Sequence, residues 1–206
     1  MNLQQDFEAG IAELDLVLSL EARQKMLDYL SLIEKWNKVY NLTAIRGKDQ
    51  MVSHHLLDSL AVLPRLWPGR WLDVGCGAGL PGLVLAIAKP DWHFTLVDSN
   101  SKKTSFVKQA IIELGLHNST VRCLRIEDMQ AEEKFDGIIS RAFAETADFV
   151  GLTRHLLAEK GRWAAMKGAP EQELKRLPGD IEVERIIPLI VSGLDAARCL
   201  VILKAR

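Results

Sequence analysis

The chain has 206 residues, 48% of them apolar and 26% charged, with a formal net charge of −1. That length supports one substantial core plus an appendage and argues against a multi-domain machine, while near-neutrality argues against general attraction to nucleic acid, so any RNA contact has to be local. Three scattered cysteines, Cys76, Cys123 and Cys199, support neither a disulfide framework nor a zinc site, and the start of the chain lacks the charge and apolar pattern of a leader; a cytoplasmic protein with free thiols is expected.

Phe7, Ile11 and Leu14 give a weak helical signal. From Ser19, a good N-cap residue, apolar groups recur at Ala22, Met26, Leu30, Ile33, Trp36 and Tyr40, which predicts an amphipathic helix over 21–40. A second helix is predicted over 49–63, with Val52, Leu56, Leu60 and Leu63 on one side and a stop at Pro64. Residues 1–66 thus read as an all-helical N-terminal extension.

After Pro68 and Gly69 the pattern changes to short apolar runs. Strands are predicted at 71–74, 94–97, 121–124, 135–139, 163–166, 182–190 and 199–203, with helices between the first five. Such alternation implies right-handed crossovers and a parallel sheet covered on both faces. The stretch 191–198 is too short for a crossover helix, so the last two strands should pair antiparallel. Residues 67–206 therefore read as an α/β, Rossmann-like domain with a seven-stranded, mainly parallel sheet.

Between the first strand and a helix expected to start near Pro81 lie Asp73, Gly75, Gly77, Gly79, Leu80 and Gly82. Glycines let backbone approach a ligand closely, and a helix N-terminus offers free N–H groups. The dinucleotide spacing Gly-x-Gly-x-x-Gly fails, because the third position after Gly77 is Leu80. Charge decides further. Asp73 would repel a pyrophosphate and attract the ammonium and sulfonium of S-adenosylmethionine. Asp98, at the end of the second strand, suits the two hydroxyls of a ribose. After the third strand, Ile126 and Glu127 offer an apolar contact and exposed amides of the kind an adenine ring needs. Read blandly, Asp73 and Asp98 are a turn residue and a helix cap, and 125–128 a helix start.

These residues resemble the pattern of the RsmG, or GidB, family of small-subunit ribosomal RNA guanine-N7 methyltransferases. The resemblance covers nearly the whole chain: NLT at 41–43, HLLDSL at 55–60, DVGCGAGLPG at 73–82, VDSNSKK at 97–103, FDGIISRAF at 135–143, and Lys167 with Gly168. It implies a class I methyltransferase fold and methyl transfer from S-adenosylmethionine to guanine N7 in the decoding region of 16S ribosomal RNA, free or within the 30S subunit. Carried over by position, Gly75 and Leu80 touch the cofactor, Ile126 and Glu127 hold its adenine, and Arg141 closes the site. Cys76 stands at a variable position of the loop.

The end of the fourth strand, Ser140, Arg141, Ala142 and Phe143, lacks the segment that would hold an exocyclic amine and a cysteine that would attack a pyrimidine. Guanine N7 carries an in-plane lone pair and no proton, so positioning suffices and no general base is expected. Arg141 is the expected partner of the cofactor carboxylate, with a surface pair to Glu145 as the alternative. Phe143 stacks a base or packs in the core. Lys102 and Lys103, at a helix N-terminus where cations are disfavoured, suit phosphate contacts, as does Lys167. Adjacent His54 and His55 cannot share a metal ion on a helix, and His55 is expected to hydrogen-bond Asp58 one turn on. Neither a metal nor a membrane partner is expected, and the protein is read as a monomer. Three rival readings stay open: a methyltransferase of a small molecule or protein, an NAD-dependent oxidoreductase disfavoured by Asp73 and the glycine spacing, and a non-catalytic nucleotide-binding assembly factor.

Overall fold

The computed structural model describes residues 3–206, with residues 48 and 49 by their backbone only. Met1 and Asn2 of the predicted extension lie outside the described residues. The chain opens with helix α1 (Leu3–Glu13) and the long α2 (Leu20–Tyr40). Ser19 caps α2 as its residue type predicts, its hydroxyl accepting from the Ala22 amide, and Ala22, Met26, Leu30 and Ile33 are buried along the predicted stripe. The next segment departs from prediction. In place of one helix over 49–63 there are α3 (Lys48–Met51), a π-helical turn (Val52–Leu57), α4 (Asp58–Leu60) and a 3-10 turn at Leu63–Arg65. From 51 to 63 every residue except His54 is buried. Packing on all sides, and not one apolar stripe, sets the backbone there, and π turns arise where such demands compete with regular i→i+4 bonding.

Seven strands follow: β1 (Arg70–Val74), β2 (His93–Asp98), β3 (Ser119–Cys123), β4 (Phe135–Arg141), β5 (Leu157–Lys167), β6 (Ile181–Leu189) and β7 (Arg198–Ala205). Helix α5 (Gly82–Ala88) follows β1, α6 (Ser101–Glu113) follows β2, α7 (Thr146–Thr153) follows β4, and α8 (Glu171–Leu174) follows β5. The sheet order is β3-β2-β1-β4-β5-β7-β6. The first five strands are parallel; β7 runs antiparallel to both β5 and β6. One expected helix is absent. β3 and β4 are joined through a single 3-10 turn, Ile126–Asp128. They stand three strand places apart, about 14 Å at the usual spacing, so the connection 124–134 is occupied in crossing the sheet and has no length left for a packed helix.

Side chains alternate between two cores, as the period of a strand demands. Trp71, Ile139, Ala164, Leu200 and Ile202 face one cluster, and Leu72, Val74, Ile138, Trp163, Val201 and Leu203 face the other. The first cluster also takes in Phe7, Met26, Tyr29 and Ile33 from α1 and α2, together with Leu83 of α5 and Phe106 of α6. The N-terminal helices therefore form one face of the sheet's own core. Because the strand order reverses between β1 and β4, the carboxyl ends of those two strands open a crevice at the switch point.

Candidate active site

The loop after β1 is built by backbone geometry that glycine alone adopts cheaply. Gly75 has φ +67°, and a Cβ added there would lie 2.6 Å from Phe143 Cδ2. Beneath the loop, Asp73 is fully buried, with Oδ2 accepting from the Gly82 amide at 2.8 Å and Oδ1 without a partner. Burial raises its carboxyl to about 7, against the lowering effects of the Gly82 amide and Arg141. Asp98, half-buried at the end of β2, accepts from the Gly77 amide at 2.9 Å and from the Asn100 amide at 2.8 Å. It thereby joins the β1 and β2 loops, and each carboxylate oxygen keeps a lone pair for a further donor. The bland reading holds only in part: Asp73 and Asp98 both accept from loop amides, but Asn100, not Asp98, caps α6.

A cavity of about 330 Å³ opens in front of these loops. Gly75, Asp98, Lys103, Ile126, Glu127 and Phe143 all border it, so six of the residues singled out in the sequence meet at one place. Asp73, Gly77, Leu80 and Lys102 do not line it: Leu80 is buried in the first core cluster, and Lys102 is exposed on the first turn of α6, whose N-cap is Asn100. The buried Cys76 thiol is pushed well above its ordinary range by burial, which removes it from nucleophilic chemistry.

A second cavity, of about 510 Å³, adjoins the first through Ala142, which lines both and adopts a left-handed φ of +56°. For a residue with a Cβ this conformation is uncommon, and it concentrates at sites where geometry outranks local comfort. Arg141, Lys167, Arg198, Asp58, His55 and Glu173 stand on its walls. Arg141 does not pair with Glu145, which binds Arg176 instead. Its Nη1 donates to the His54 carbonyl at 2.8 Å and to Asp58 Oδ2 at 3.0 Å. Lys167 donates to the Ala144 carbonyl and to Glu173, each at 2.6 Å.

The expected His55–Asp58 hydrogen bond does not form. Both ring nitrogens of His55 are buried without a partner, while Asp58 is held by Arg141 and by Arg198 Nε at 3.2 Å. The π turn changes the rotation between positions 55 and 58, and two guanidinium groups outcompete a neutral imidazole for the carboxylate. Burial, seconded by Arg141, lowers His55 to about 4. Sequence reading missed Arg198 and Glu173. Arg198 lies 140 positions from Asp58, and nothing in its local context marks it. Among the described residues no group of three or more His, Cys, Asp or Glu is placed to hold a metal ion, and no helix is long and apolar enough to cross a membrane.

A parallel sheet with its crevice at the switch point, a glycine loop over a buried aspartate, and a carboxylate, an apolar side chain and amides around one cavity define a Rossmann-like, S-adenosylmethionine-dependent methyltransferase. Among solved structures, the glycopeptide N-methyltransferase MtfA complexed with S-adenosyl-L-methionine shares this fold, with a TM-score of 0.64 at 12% identity over 74% of this chain and 87% of that one. The model of the family "rRNA small subunit methyltransferase G" (GidB) matches residues 22–201. The proteins of that name from Laribacter hongkongensis and Methylobacillus flagellatus are 55% identical over 100% of both chains and 53% identical over 99% of both. This chain belongs to the rRNA small subunit methyltransferase G family.

Proposed function

We propose that the protein transfers the methyl group of S-adenosylmethionine to N7 of a guanine in 16S ribosomal RNA. The observation that carries this reading is the pair of cavities joined at Ala142, one bordered by cofactor-type groups and one by three cations. When bound, S-adenosylmethionine supplies an electrophilic methyl on sulfonium. In the first cavity Asp98 would accept from the ribose hydroxyls, and Ile126 and Glu127 would hold the adenine. Asp73, under the loop, would favour the cofactor's ammonium through space in its ionised form, which it reaches as pH rises through about 7. Both bonds of Arg141 leave from Nη1, and a guanidinium carries five N–H groups, so donors remain for the cofactor carboxylate.

The acceptor enters the second cavity. Lys167 and Arg198 offer charge to its phosphates, with Lys103 on the cofactor side and Lys102 exposed beside it on α6, and Phe143, bordering the first cavity, offers a face for stacking, a contact worth about 1–3 kcal/mol per base. N7 has no proton to lose, so these residues orient and exclude water without moving a proton. The helical segment 1–66 contributes Thr43, Ile45, His55 and Asp58 to this cavity, which gives it the RNA side of the protein.

The test is incubation with methyl-labelled S-adenosylmethionine and either naked 16S RNA or small subunits from cells lacking the protein, followed by nucleoside mapping. Label in 7-methylguanosine of one substrate is expected. Label only in protein or in a small metabolite refutes the reading.

A further inference from the structure

Asp58 has no role in the reaction as described, yet it occupies an unusual position. Its side chain is only 3% exposed, and it directly follows the π turn. One oxygen takes Arg141 from the end of β4, 83 residues on, and the other takes Arg198 from the start of β7, 140 residues on. All three residues line the larger cavity. A buried ion pair is weak evidence for a stabilising purpose, since apolar residues of similar volume commonly do as well. A long arginine left alone samples many rotamers, whereas one shared carboxylate with an arginine on each oxygen fixes both heads at a set separation. Lys167 is fixed in the same way, between Glu173 and the Ala144 carbonyl. The cations of this cavity are thus held in place by carboxylates.

We infer that Asp58 is a positioning residue: it holds the guanidinium groups of Arg141 and Arg198 as a fixed pair on the wall of the larger cavity, which Ala142 joins to the first, so that an RNA phosphodiester docks with its guanine in reach of the methyl donor. This inference rests on the proposed RNA methylation. It differs in sign from the simple electrostatic view. A carboxylate in an RNA-binding cavity repels phosphate, so removing it should strengthen RNA binding; if it positions the arginines, removing it should instead impair transfer.

Asp58→Asn keeps the shape and one acceptor oxygen while deleting the charge. Wild type, Asp58→Asn, Arg198→Ala and the double variant are compared as full chains on rRNA or subunits from cells lacking the protein, by labelled methyl transfer and by filter retention of the RNA. Positioning predicts that kcat/KM for methyl transfer falls about 10- to 100-fold in Asp58→Asn, while RNA retention is unchanged or tighter. It also predicts that the double variant is little worse than Arg198→Ala, because both disrupt one arrangement. Transfer that is unchanged or faster in Asp58→Asn overturns the inference, as does a fully multiplicative loss in the double variant. Should Asp58→Asn lack a cooperative melt, Asp58→Glu and Arg198→Lys carry the test with the charge balance kept: reduced transfer supports positioning and an undiminished rate overturns it. Wild-type transfer is read in the same assay, so its absence overturns the RNA methylation reading and this inference with it, whereas a loss confined to the variants concerns Asp58.

Discussion

Asp73 sits under the glycine loop with one oxygen on the Gly82 amide, and burial raises its carboxyl to about 7. Its folded-state value lies above the ordinary 3.8, so the stability it lends is complete below about pH 4 and is lost as pH rises through 7. His55 works in the opposite direction: with its imidazole lowered from 6.5 to about 4, the stability tied to its neutral form is lost as pH falls through that interval. The two trends oppose each other in wild type between those values. Asp73→Asn removes one of them, and its unfolding free energy, read from denaturant melts across pH, should gain on wild type as pH rises from 4 to 7 and level off above, by an amount on the order of a few kcal/mol. A difference independent of pH would mean that Asp73 ionises normally. Above pH 7, where Asp73 is ionised, the same variant should bind S-adenosylhomocysteine more weakly, because the ammonium loses its nearby anion. For Arg141 the discriminating ligand pair is S-adenosylhomocysteine and methylthioadenosine, which lacks the carboxylate. Calorimetric titration of Arg141→Ala is expected to show weaker binding of the first and nearly unchanged binding of the second, with Arg141→Lys intermediate. Equal weakening of both ligands would indicate general disruption through Asp58, and no weakening with lost RNA methylation would assign the guanidinium to the acceptor alone.

Helix α2 and the glycine loop meet through one bond. Tyr29, buried and ring-stacked on Phe106 of α6, donates its hydroxyl to the Ala78 carbonyl at 2.5 Å. The phenol is pushed up by burial, so it stays a donor. The N-terminal segment, proposed to receive RNA, therefore also braces the glycine loop. Tyr29→Phe leaves the aromatic packing intact and strands one buried carbonyl, at a cost of about 1–3 kcal/mol. We expect a lower melting temperature together with weaker S-adenosylhomocysteine binding by titration. Stability lost with affinity intact would show that the loop is held by its own turns, such as Leu80 N–H to the Cys76 carbonyl.

On the scale of the molecule, α1, α2, α5, α6 and one face of the sheet share a single cluster running from Phe7 to Ile202. A fragment of residues 67–206 would expose that face, and apolar surface on such a scale favours association over a monomeric fold. The fragment is expected to melt without cooperativity and to bind a hydrophobic dye, while the full chain unfolds in one transition by both tryptophan fluorescence and circular dichroism. A fragment that melts cooperatively and still titrates with S-adenosylhomocysteine would establish the sheet portion as self-sufficient.

The strands, the glycine loop and the candidate cofactor groups were legible in the chain because each is a local pattern. Short apolar runs located β1 to β7, Ser19 marked the start of α2, and Asp73, Gly75 and Asp98 announced themselves by spacing within a single βαβ unit. Ile126 and Glu127 followed from their place after the third strand, and the family resemblance supported them and Arg141. Tertiary structure alone decided what those local signals cannot encode. The π turn at Val52–Leu57 arises from burial on every side, and the missing helix between β3 and β4 from the width of sheet to be crossed. The partners of Asp58 come from strands 83 and 140 residues away, where charge and geometry overrode the nearer His55. Local periodicity and spacing fixed which elements form and which residues are candidates for the cofactor; side chains brought together from distant segments determined the larger cavity, because electrostatic pairing acts through space and leaves no periodic trace along the chain.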